Sequence, residues 1–351
     1  MARFSVVIPL YNKRPHVDRA IRSILSQTLA PQEIIVVDDG STDGSYEYVQ
    51  SLEDRRIQLH RRGQPGPGGY AARNFAIERA SEEWVAFLDA DDEWLPHHLE
   101  DIAEAIRSSR QAEELVCVAT GYRNIYPGGR EEPDIYSRSR KGSAVAFLDF
   151  GQFLSTWLAV GGSPVWTSAA ACRKDALVKA GLFPAGRCTR GGDKDMWFRI
   201  ATLGVTALDP RISAIYYKDS VNMVTGRTSA NERHCMCQSI EAMLPYGSAA
   251  TESLLRKVFN LEVYKYAIRT IKTAGLDKMA WQGFFATENP VRYLVLATLS
   301  SRLTDLALRP LLHFHPRMRR QRLEAASRRT VAAPIEPAAD SRSSYHQGGS
   351  S

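Results

Sequence analysis

The chain has 351 residues, of which 44% are hydrophobic and 24% are charged, as in an ordinary globular protein. This length accommodates one large α/β domain with an appended region, or two domains. The formal net charge is +6 and the pI is near 9.0, which favours anionic partners. The five cysteines are irregularly spaced without a C-x-x-C pair, which argues against a disulfide framework and favours reduced thiols in a cytoplasmic protein. Neither a signal peptide nor a convincing transmembrane segment is expected.

Strand-like and helix-like segments alternate from the N-terminus. Short apolar runs predict strands, and the segments between them carry apolar residues at helical spacing. The predicted strands are residues 3–10, 33–38, 57–60, 84–88 and 115–120, with helices around Val17–Thr28, Ser41–Leu52, Tyr70–Ala80 and Leu95–Ile106. This alternation predicts right-handed βαβ units and a mostly parallel sheet flanked by helices.

A cluster of acids follows the predicted strand Trp84–Leu88. Asp89, Asp91, Asp92 and Glu93 come directly after this apolar run. Carboxylates cannot follow a buried strand into the core, so we expect them at the sheet edge where ligands bind. The Asp-x-Asp pair suits Mg²⁺ or Mn²⁺ held together with substrate phosphates. The alternative is that Asp92 or Glu93 starts the next helix, which leaves the pair before them unexplained.

The Gly- and Pro-rich loop at residues 61–69 lacks the spacing of a dinucleotide-binding motif. It contains no G-x-G-x-x-G opening a helix, and the first strand is followed by Tyr-Asn-Lys rather than by glycines. A dinucleotide-binding dehydrogenase is therefore disfavoured.

The alternating pattern loosens after Gly121. From there we predict a surface loop at 122–142, a helix at 144–158, a strand at 166–172, a helix from Asp193 through Leu203 and a strand-rich stretch at 206–218. No strand pattern recurs beyond it, and Leu254–Ile268 and Val291–Leu312 are predicted helices. These patterns divide the chain into a main domain at 1–218, a helical C-terminal region with a basic segment at 219–330 and a disordered tail at 331–351.

Two interpretations of the C-terminal region stay open. The apolar stretch Tyr293–Leu312 is interrupted by Arg302, Asp305 and Arg309. Each of these would cost about 2.5–3.5 kcal/mol at a membrane centre, so this stretch is not expected to span a membrane. Residues 309–329 hold seven Arg against one Glu. The region either lies on an anionic membrane surface, which would make the protein peripheral on the inner face, or forms a helical lid with a solvated basic tail. No recognised nucleic-acid motif accompanies the charge, so nucleic acid is not expected.

Five motifs in order resemble family 2 of the nucleotide-sugar glycosyltransferases. They are VIPLYN at 7–12, VVDDGSTD at 36–43, Ala-Arg-Asn at 72–74, FLDADD at 87–92 and DKDMW at 193–197. Their order and spacing match from residue 3 to about 218, which leaves the last third outside the resemblance. The resemblance implies the GT-A fold, with a Rossmann-like sheet, here carrying a helical C-terminal extension. It also implies an inverting, metal-dependent enzyme.

By this resemblance, Pro9, Tyr11, Asp39 and Arg73 belong to the residues that bind a nucleotide-sugar donor, which is expected to be a UDP-sugar. Asp39 hydrogen-bonds the uracil imide, a pairing that suits a carboxylate facing an N–H donor. Tyr11 stacks on the base, Arg73 assists nucleotide binding, and Pro9 belongs to the same set. The alternatives are a turn-capping Asp39 and a core-packed Tyr11.

The resemblance also implies roles around the diphosphate and the acceptor. Asp89 contacts the ribose or the sugar, and Asp91 binds the Mg²⁺ or Mn²⁺ cofactor. An inverting transfer needs one general base for the acceptor hydroxyl. The family commonly presents Glu-Asp where this chain has Gly192-Asp193, so Asp193 is the expected base. The Glu that would contact the acceptor is replaced by Gly192. Asp195 is the second candidate, with helix N-terminal charge as its other interpretation.

The predicted function is transfer of a sugar to a hydroxyl of a glycan or a lipid-linked saccharide, in cell-surface polysaccharide biosynthesis. Two alternatives remain from the residues alone. One is a non-catalytic protein that binds nucleotide sugars or glycans on the same fold, which the absent Glu suggests. The other is a metal-dependent nucleotidyltransferase, which also uses acids at strand ends together with a metal.

Overall fold

The computed structural model describes residues 2–63, 66–221, 235–271 and 282–299. The described residues up to Thr298 form one compact unit. At its centre lies a mixed sheet of the following strands: β1 Phe4–Leu10, β2 Glu33–Asp38, β3 Ile57–Arg61, β4 Trp84–Phe87, β5 Glu93–Trp94, β6 Leu115–Ile125, β7 Glu131–Pro133, β8 Ala146–Leu148, β9 Ala170–Arg173 and β10 Val205–Tyr217. Their order is β3-β2-β1-β4-β9-β6-β10-β5, with β7 beside β6 and β8 beside β10.

Helices cover both faces of this sheet. They are α1 Arg14–Leu25, α2 Ser45–Gln50, α3 Tyr70–Arg79, α4 His98–Ser108, α5 Ile135–Ser139, α6 Phe150–Val160, α7 Lys174–Lys179, α8 Gly192–Ala201, α9 Met236–Met243, α10 Ala249–Ile271 and α11 Pro290–Leu299. Successive β1 residues enter different cores: Val6 belongs to the apolar core that includes residues of α1 and α4, and Val7 to the core that includes residues of α3 and α8. Burial on both faces explains the continuous apolar strands and confirms the predicted α/β class.

Strand direction determines where the polar loops meet. β1 pairs parallel with β2 and with β4, and β2 pairs parallel with β3. β9 runs antiparallel between β4 and β6, so β6 and β10 again run in the direction of β4. The carboxyl ends of β1, β2 and β4 therefore share one edge, where ligands bind in open α/β sheets.

The structure corrects the prediction of a surface loop at 122–142. β6 continues to Ile125 because its polar second half pairs with β10. β7 then returns along β6, and α5 begins behind Asp134. The Asp134 carboxylate accepts the backbone N–H of Ser137 and of Tyr122, each at 3.0 Å. The hydrogen bond to Ser137 is a local helix cap. The hydrogen bond to Tyr122 forms only because β7 returns along β6, which the sequence pattern does not predict.

Two further elements differ from the predicted ones. The apolar stretch at 144–158 is not one helix, because residues 146–148 pair with β10 as β8. Helix α6 starts only after Asp149, which forms a capping box with Gln152. The predicted strand at 166–172 starts late, because Thr167–Ala169 is a 3₁₀ turn and β9 begins at Ala170.

The predicted C-terminal helices are present where the structure describes the chain. Helix α10 lies against α6, and its Leu255, Val258 and Phe259 are fully buried. The boundary at 218/219 stays a prediction, and residues 300–351, including the basic segment, lie outside the described residues. Among the helices that the structure describes, none combines the length and the apolar character that crossing a membrane requires.

Candidate active site

A cleft of about 350 Å³ opens at the shared edge of β1, β2 and β4. All the residues predicted for the site line this cleft, namely Pro9, Tyr11, Asp39, Arg73, Asp89, Asp91 and Asp193. They come from the ends of three parallel strands, from α3 and from the start of α8. The fold thus brings five separate motifs to one place.

Asp39 and Tyr11 form part of the cleft beside β2. Asp39 is 2% exposed, and its carboxylate accepts hydrogen bonds from Arg62 Nη1 at 2.7 Å and from the Gly66 N–H at 3.3 Å. Burial raises the pKa of Asp39, and the Arg62 guanidinium opposes that rise. Asp38 caps the turn by accepting two backbone N–H groups, so Asp39 is not the capping residue. Tyr11 is 39% exposed, which excludes the core-packed alternative.

Arg73 joins α3 to the loop after β4. Its guanidinium forms an ion pair with Asp89 and donates from Nη1 to the Gly68 carbonyl at 2.7 Å. Burial lowers the pKa of Arg73, but the Asp89 carboxylate outweighs that effect and raises it overall. Arg73 therefore stays charged inside the protein and fixes the position of Asp89.

Asp91 and Asp92 have different surroundings. Asp91 Oδ2 accepts from Lys13 Nζ at 2.5 Å, and the same ammonium donates to the Val221 carbonyl at 2.6 Å. Asp92 is buried, accepts from Ser168 Oγ at 2.6 Å, and has its pKa raised by burial and by the charges of Asp91 and Asp89. The alternative that these acids start a helix is wrong, because α4 begins only at His98.

The donor atoms around Asp91 fit a hard cation that is held jointly with a diphosphate. Within the described ranges, no three His, Cys, Asp or Glu side chains form a metal site by themselves. Mg²⁺ usually takes only one or two carboxylates and completes its shell with phosphates and water. The Asp91 side chain, 15% exposed, supplies such oxygens. A metal bound there would replace the Lys13 ammonium or share the carboxylate with it.

The two acids at the start of α8 are separated by the helix geometry. Asp193 is partly exposed and lines the cleft. Asp195 is 1% exposed, and its carboxylate contacts Arg199 at 2.9 Å and accepts from Ser239 Oγ at 2.5 Å. Trp197, fully buried against Phe87 at 5.9 Å between ring centroids, anchors the helix. Asp193 alone of this pair faces the cleft.

Part of the chain that forms this cleft matches a known protein family. Residues 5–163 match the sequence model described as "Glycosyl transferase family 2". Residues 5–163 belong to glycosyl transferase family 2. The cleft residues that come after residue 163, among them Asp193, lie beyond the matched range.

Curated relatives match the chain over a limited stretch. The chain is 41% identical over 105 residues to the succinoglycan biosynthesis protein ExoW of Rhizobium meliloti, covering 28% of this chain and 32% of ExoW. It is 38% identical over 96 residues to WfgD of Escherichia coli, a UDP-Glc:alpha-D-GlcNAc-diphosphoundecaprenol beta-1,3-glucosyltransferase, covering 27% of this chain and 38% of WfgD. The chain thus spans about a third of the length of the curated relatives it matches.

The fold resembles that of TarS from S. aureus. The crystal structure of TarS residues 1–349 with UDP-GlcNAc matches with a TM-score of 0.64 and 17% identity, over 89% of this chain and 86% of that one. This likeness confirms the GT-A fold predicted from the motifs.

The structure gives a spatial reason for Gly192, at the position where the sequence resemblance leads one to expect Glu. A Cβ atom at residue 192 would lie 2.6 Å from Pro184 Cγ and 2.8 Å from Tyr70 Cζ, far inside van der Waals contact. The Gly192 N–H donates to the Tyr70 hydroxyl at 2.8 Å. The Tyr70 ring lies parallel to Phe183, with 6.2 Å between centroids. Tyr70 therefore occupies the space that a side chain at residue 192 would need, and sequence analysis did not single it out.

One wall of the cleft was not predicted from the sequence. Its residues come from α10, from the start of α8 and from the loop that precedes α8. They are Arg190, Lys194, Glu262, Lys265 and Tyr266. Helix α10 lies outside the matched residues 5–163 and outside the five motifs, so no motif indicated that Glu262, Lys265 and Tyr266 reach the site.

Replacing Gly192 with alanine should destabilise the fold by about 1–3 kcal/mol, because the new methyl group overpacks a filled space. Gly151 of α6 is the matched control, since its nearest neighbour to a new Cβ would be 3.5 Å away. Gly151→Ala should be neutral or stabilising, as alanine is the better helix former. Urea unfolding of both variants checks this, and equal stability of the two would contradict the steric account.

Proposed function

We propose that this chain transfers a sugar from a nucleotide-diphosphate donor, a UDP-sugar, to a hydroxyl of a glycan or lipid-linked saccharide, with inversion. The observation that carries the proposal is the convergence of five separated motifs on one cleft. The names of relatives support the chemistry: WfgD uses UDP-Glc, and TarS was crystallised with UDP-GlcNAc and with UDP. ExoW acts in succinoglycan biosynthesis, which supports a role in cell-surface polysaccharide synthesis.

The donor lies at the β1, β2 and β4 edge in this proposal. Asp39 pairs with the uracil imide, and burial in the turn after β2 holds it in place. Tyr11 stacks on the base, with Pro9 beside it on β1. Asp89, fixed by Arg73, contacts the ribose or the sugar.

The acceptor approaches from the α8 side. An acceptor hydroxyl is a poor nucleophile until its proton is being removed, and Asp193 is the carboxylate placed to accept that proton. Asp91 would hold Mg²⁺ or Mn²⁺ together with the donor diphosphate. When bound, such an ion neutralises charge that develops on the departing diphosphate.

The proposal is tested with a panel of nucleotide sugars, with Mn²⁺ and with chelator, scored by thermal shift and by nucleotide release. We expect UDP-sugars to stabilise the protein and UDP to be released when an acceptor is present. Release of pyrophosphate would indicate a nucleotidyltransferase instead. Donor binding without release in the presence of any acceptor would indicate a binding protein.

Replacing Asp91 with alanine should abolish turnover and metal-dependent donor binding, because the metal loses its protein carboxylate. Glu93→Gln is the matched control: Glu93 lies two positions on, does not line the cleft and accepts from the Tyr217 hydroxyl at 2.6 Å. Mn²⁺-dependent thermal shift with UDP measures binding separately from turnover. Full activity of Asp91→Ala in the presence of chelator would remove the metal from the mechanism.

We also propose that the basic segment holds the enzyme at an anionic membrane, near a lipid-linked acceptor. Helix α11 exposes Val291 and Leu294, at 70% and 63%, and the seven Arg follow it in sequence. The full chain should sediment with liposomes of anionic lipid at low salt, and a chain ending at Asn289, which lacks both α11 and the seven Arg, should not. Equal sedimentation of the two chains would favour the helical-lid alternative.

A further inference from the structure

The two ends of the cleft differ in charge. The donor end, defined by the loops after β1, β2 and β4 together with Arg73, carries Lys13 and Arg73 against four acids, Asp39, Asp89, Asp91 and Asp92. The acceptor end, defined by the start of α8 with α10, carries Arg190, Lys194 and Lys265 against Asp193 and Glu262. The acceptor end is thus the more basic part of the same cleft.

The acid on α10 is already fully engaged at the acceptor end. Glu262 is 2% exposed, and its Oε1 accepts from Trp157 Nε1 at 2.9 Å. Its Oε2 lies 2.5 Å from Lys194 Nζ, whose side chain is still 30% exposed. Glu262 therefore fixes Lys194 at the cleft wall, and each of its two oxygens already accepts a hydrogen bond.

Tyr70 brings a neutral hydroxyl to the same end. Its oxygen accepts the Gly192 N–H at 2.8 Å, so one lone pair is used and the hydroxyl proton can be donated elsewhere. Burial, and next the Asp193 charge, raise the pKa of the Tyr70 phenol, which stays protonated at neutral pH. No carboxylate can stand at residue 192, because the Tyr70 ring and Pro184 fill that space.

Two cations flank Asp193 in the sequence: Arg190 lies three positions before it and Lys194 lies directly after it. If Asp193 accepts the proton of the acceptor hydroxyl, a substituent close to that hydroxyl meets these cations and the Tyr70 hydroxyl. All three are hydrogen-bond donors, and two carry positive charge. Donors of this kind bind phosphate and carboxylate oxygens, with charge-assisted hydrogen bonds stronger than neutral ones.

We propose that the acceptor end, with Tyr70, Arg190 and Lys194, binds an acceptor that carries an anionic oxygen of a phosphate or a carboxylate beside the attacked hydroxyl. This inference rests on the proposed function and specifies its acceptor class. Arg190 and Lys194 determine the preference for a charged acceptor. Tyr70 adds a neutral hydrogen-bond donor, and its ring leaves no space for a carboxylate side chain at residue 192.

The first experiment compares matched acceptors at low ionic strength, where charge interactions are least screened. Each pair shares one sugar and one octyl aglycone, and differs at C6 by a phosphate ester or by a uronic carboxylate. For one of the two charged acceptors, the kcat/KM of the wild-type protein should be about 10–100-fold higher than for the matched neutral acceptor. This is the gain expected of a hydrogen bond to a charged group. Which charged member is preferred separates a phosphate from a uronic acid. Equal use of charged and neutral acceptors would overturn the inference while leaving the glycosyltransferase proposal intact.

The second experiment removes one charge at a time. Arg190→Gln should lose most of the preference for the charged acceptor, through KM, without changing KM for the nucleotide sugar. Arg187→Gln is the matched control, because Arg187 lies in the same loop, is 52% exposed at its side chain and does not line the cleft; its 3.7 Å contact to Asp195 lies outside the cleft lining as well. A raised donor KM in Arg190→Gln with an unchanged acceptor preference would assign this cation to the donor diphosphate and overturn the inference.

The third experiment needs no turnover. Inorganic phosphate, against chloride at equal ionic strength, should raise the Tm of the wild-type protein saturated with UDP, and both Arg190→Gln and Tyr70→Phe should reduce this shift. Tyr70→Phe keeps the ring that packs on Phe183 and removes only the hydroxyl. An absent phosphate effect in wild type, or an equal effect in all variants, contradicts an anion site. Because this measurement stands without catalysis, failure of every acceptor to react would contradict the proposed function alone.

Discussion

Replacing Asp193 with asparagine should lower kcat by about 10²–10⁴-fold and leave the affinity for the nucleotide sugar nearly unchanged. Asparagine keeps the shape of the side chain and removes its basicity. A loss confined to kcat is the mark of an interaction used in the transition state, which is when the acceptor proton moves. Initial rates with saturating donor and acceptor, together with UDP-sugar binding by calorimetry, check both halves of this expectation.

Asp195→Asn is the control for that experiment, because the same substitution is made two positions further along the same helix. Asp195 is buried and paired with Arg199, so its loss should act on stability rather than on proton transfer. Retention of most kcat by Asp193→Asn, with loss in Asp195→Asn, would assign the base to Asp195. Retention by both, in a protein that still binds donor, would favour the binding-protein alternative.

Replacing Asp195 with alanine should lower the free energy of unfolding by about 3–5 kcal/mol, because removing one member of a buried ion pair leaves the other without its counter-charge. Arg199 is 15% exposed at its side chain and contacts Asp195 at 2.9 Å. Ser239 of α9 donates to the same carboxylate at 2.5 Å, so α9 also loses a contact to α8. Guanidinium unfolding followed by tryptophan fluorescence measures the change.

Asp193→Ala provides the comparison for stability. Asp193 is partly exposed, and a substitution of this kind usually changes stability by less than about 0.5 kcal/mol. Substitutions at the two neighbouring acids should therefore have different effects: those at Asp193 should lower kcat, and those at Asp195 should lower stability. Similar stability of Asp193→Ala and Asp195→Ala would show that the Asp195 network contributes little.

The sequence by itself determined the class of the fold and the members of the donor end. Apolar strands of limited length alternate with amphipathic helices, and this periodicity is local, so β1 to β4 and α1 to α4 were predicted close to their positions. Parallel strands then bring their carboxyl ends to one edge, which is why Asp39 and Asp89 could be expected together. The five motifs added Tyr11, Arg73 and Asp193, all of which line the cleft.

Tertiary structure alone decided the elements whose pairing partners are distant. The second half of β6 is polar, and it forms a strand because β10 pairs with it from about 90 residues away, as in Tyr122 opposite Ala214. Likewise β8 pairs with Thr206–Leu208, so an apolar run that suits a helix begins as a strand. Intrinsic preferences in such segments are weak, and long-range hydrogen bonding outweighs them.

The acceptor end was decided in the same way. Nothing local to Gly192 indicates that Tyr70, 122 residues earlier, fills the adjacent space and accepts its N–H. Asp193 and Asp195 have the same charge and nearly the same position in sequence, and the contacts of Arg187, Arg199 and Ser239 make Asp195 structural. Glu262 and Lys265 reach the cleft from α10, which packs on α6 through apolar contacts. Sequence periodicity reports which face of an element is buried, whereas the partner that buries it is determined by packing across the whole fold.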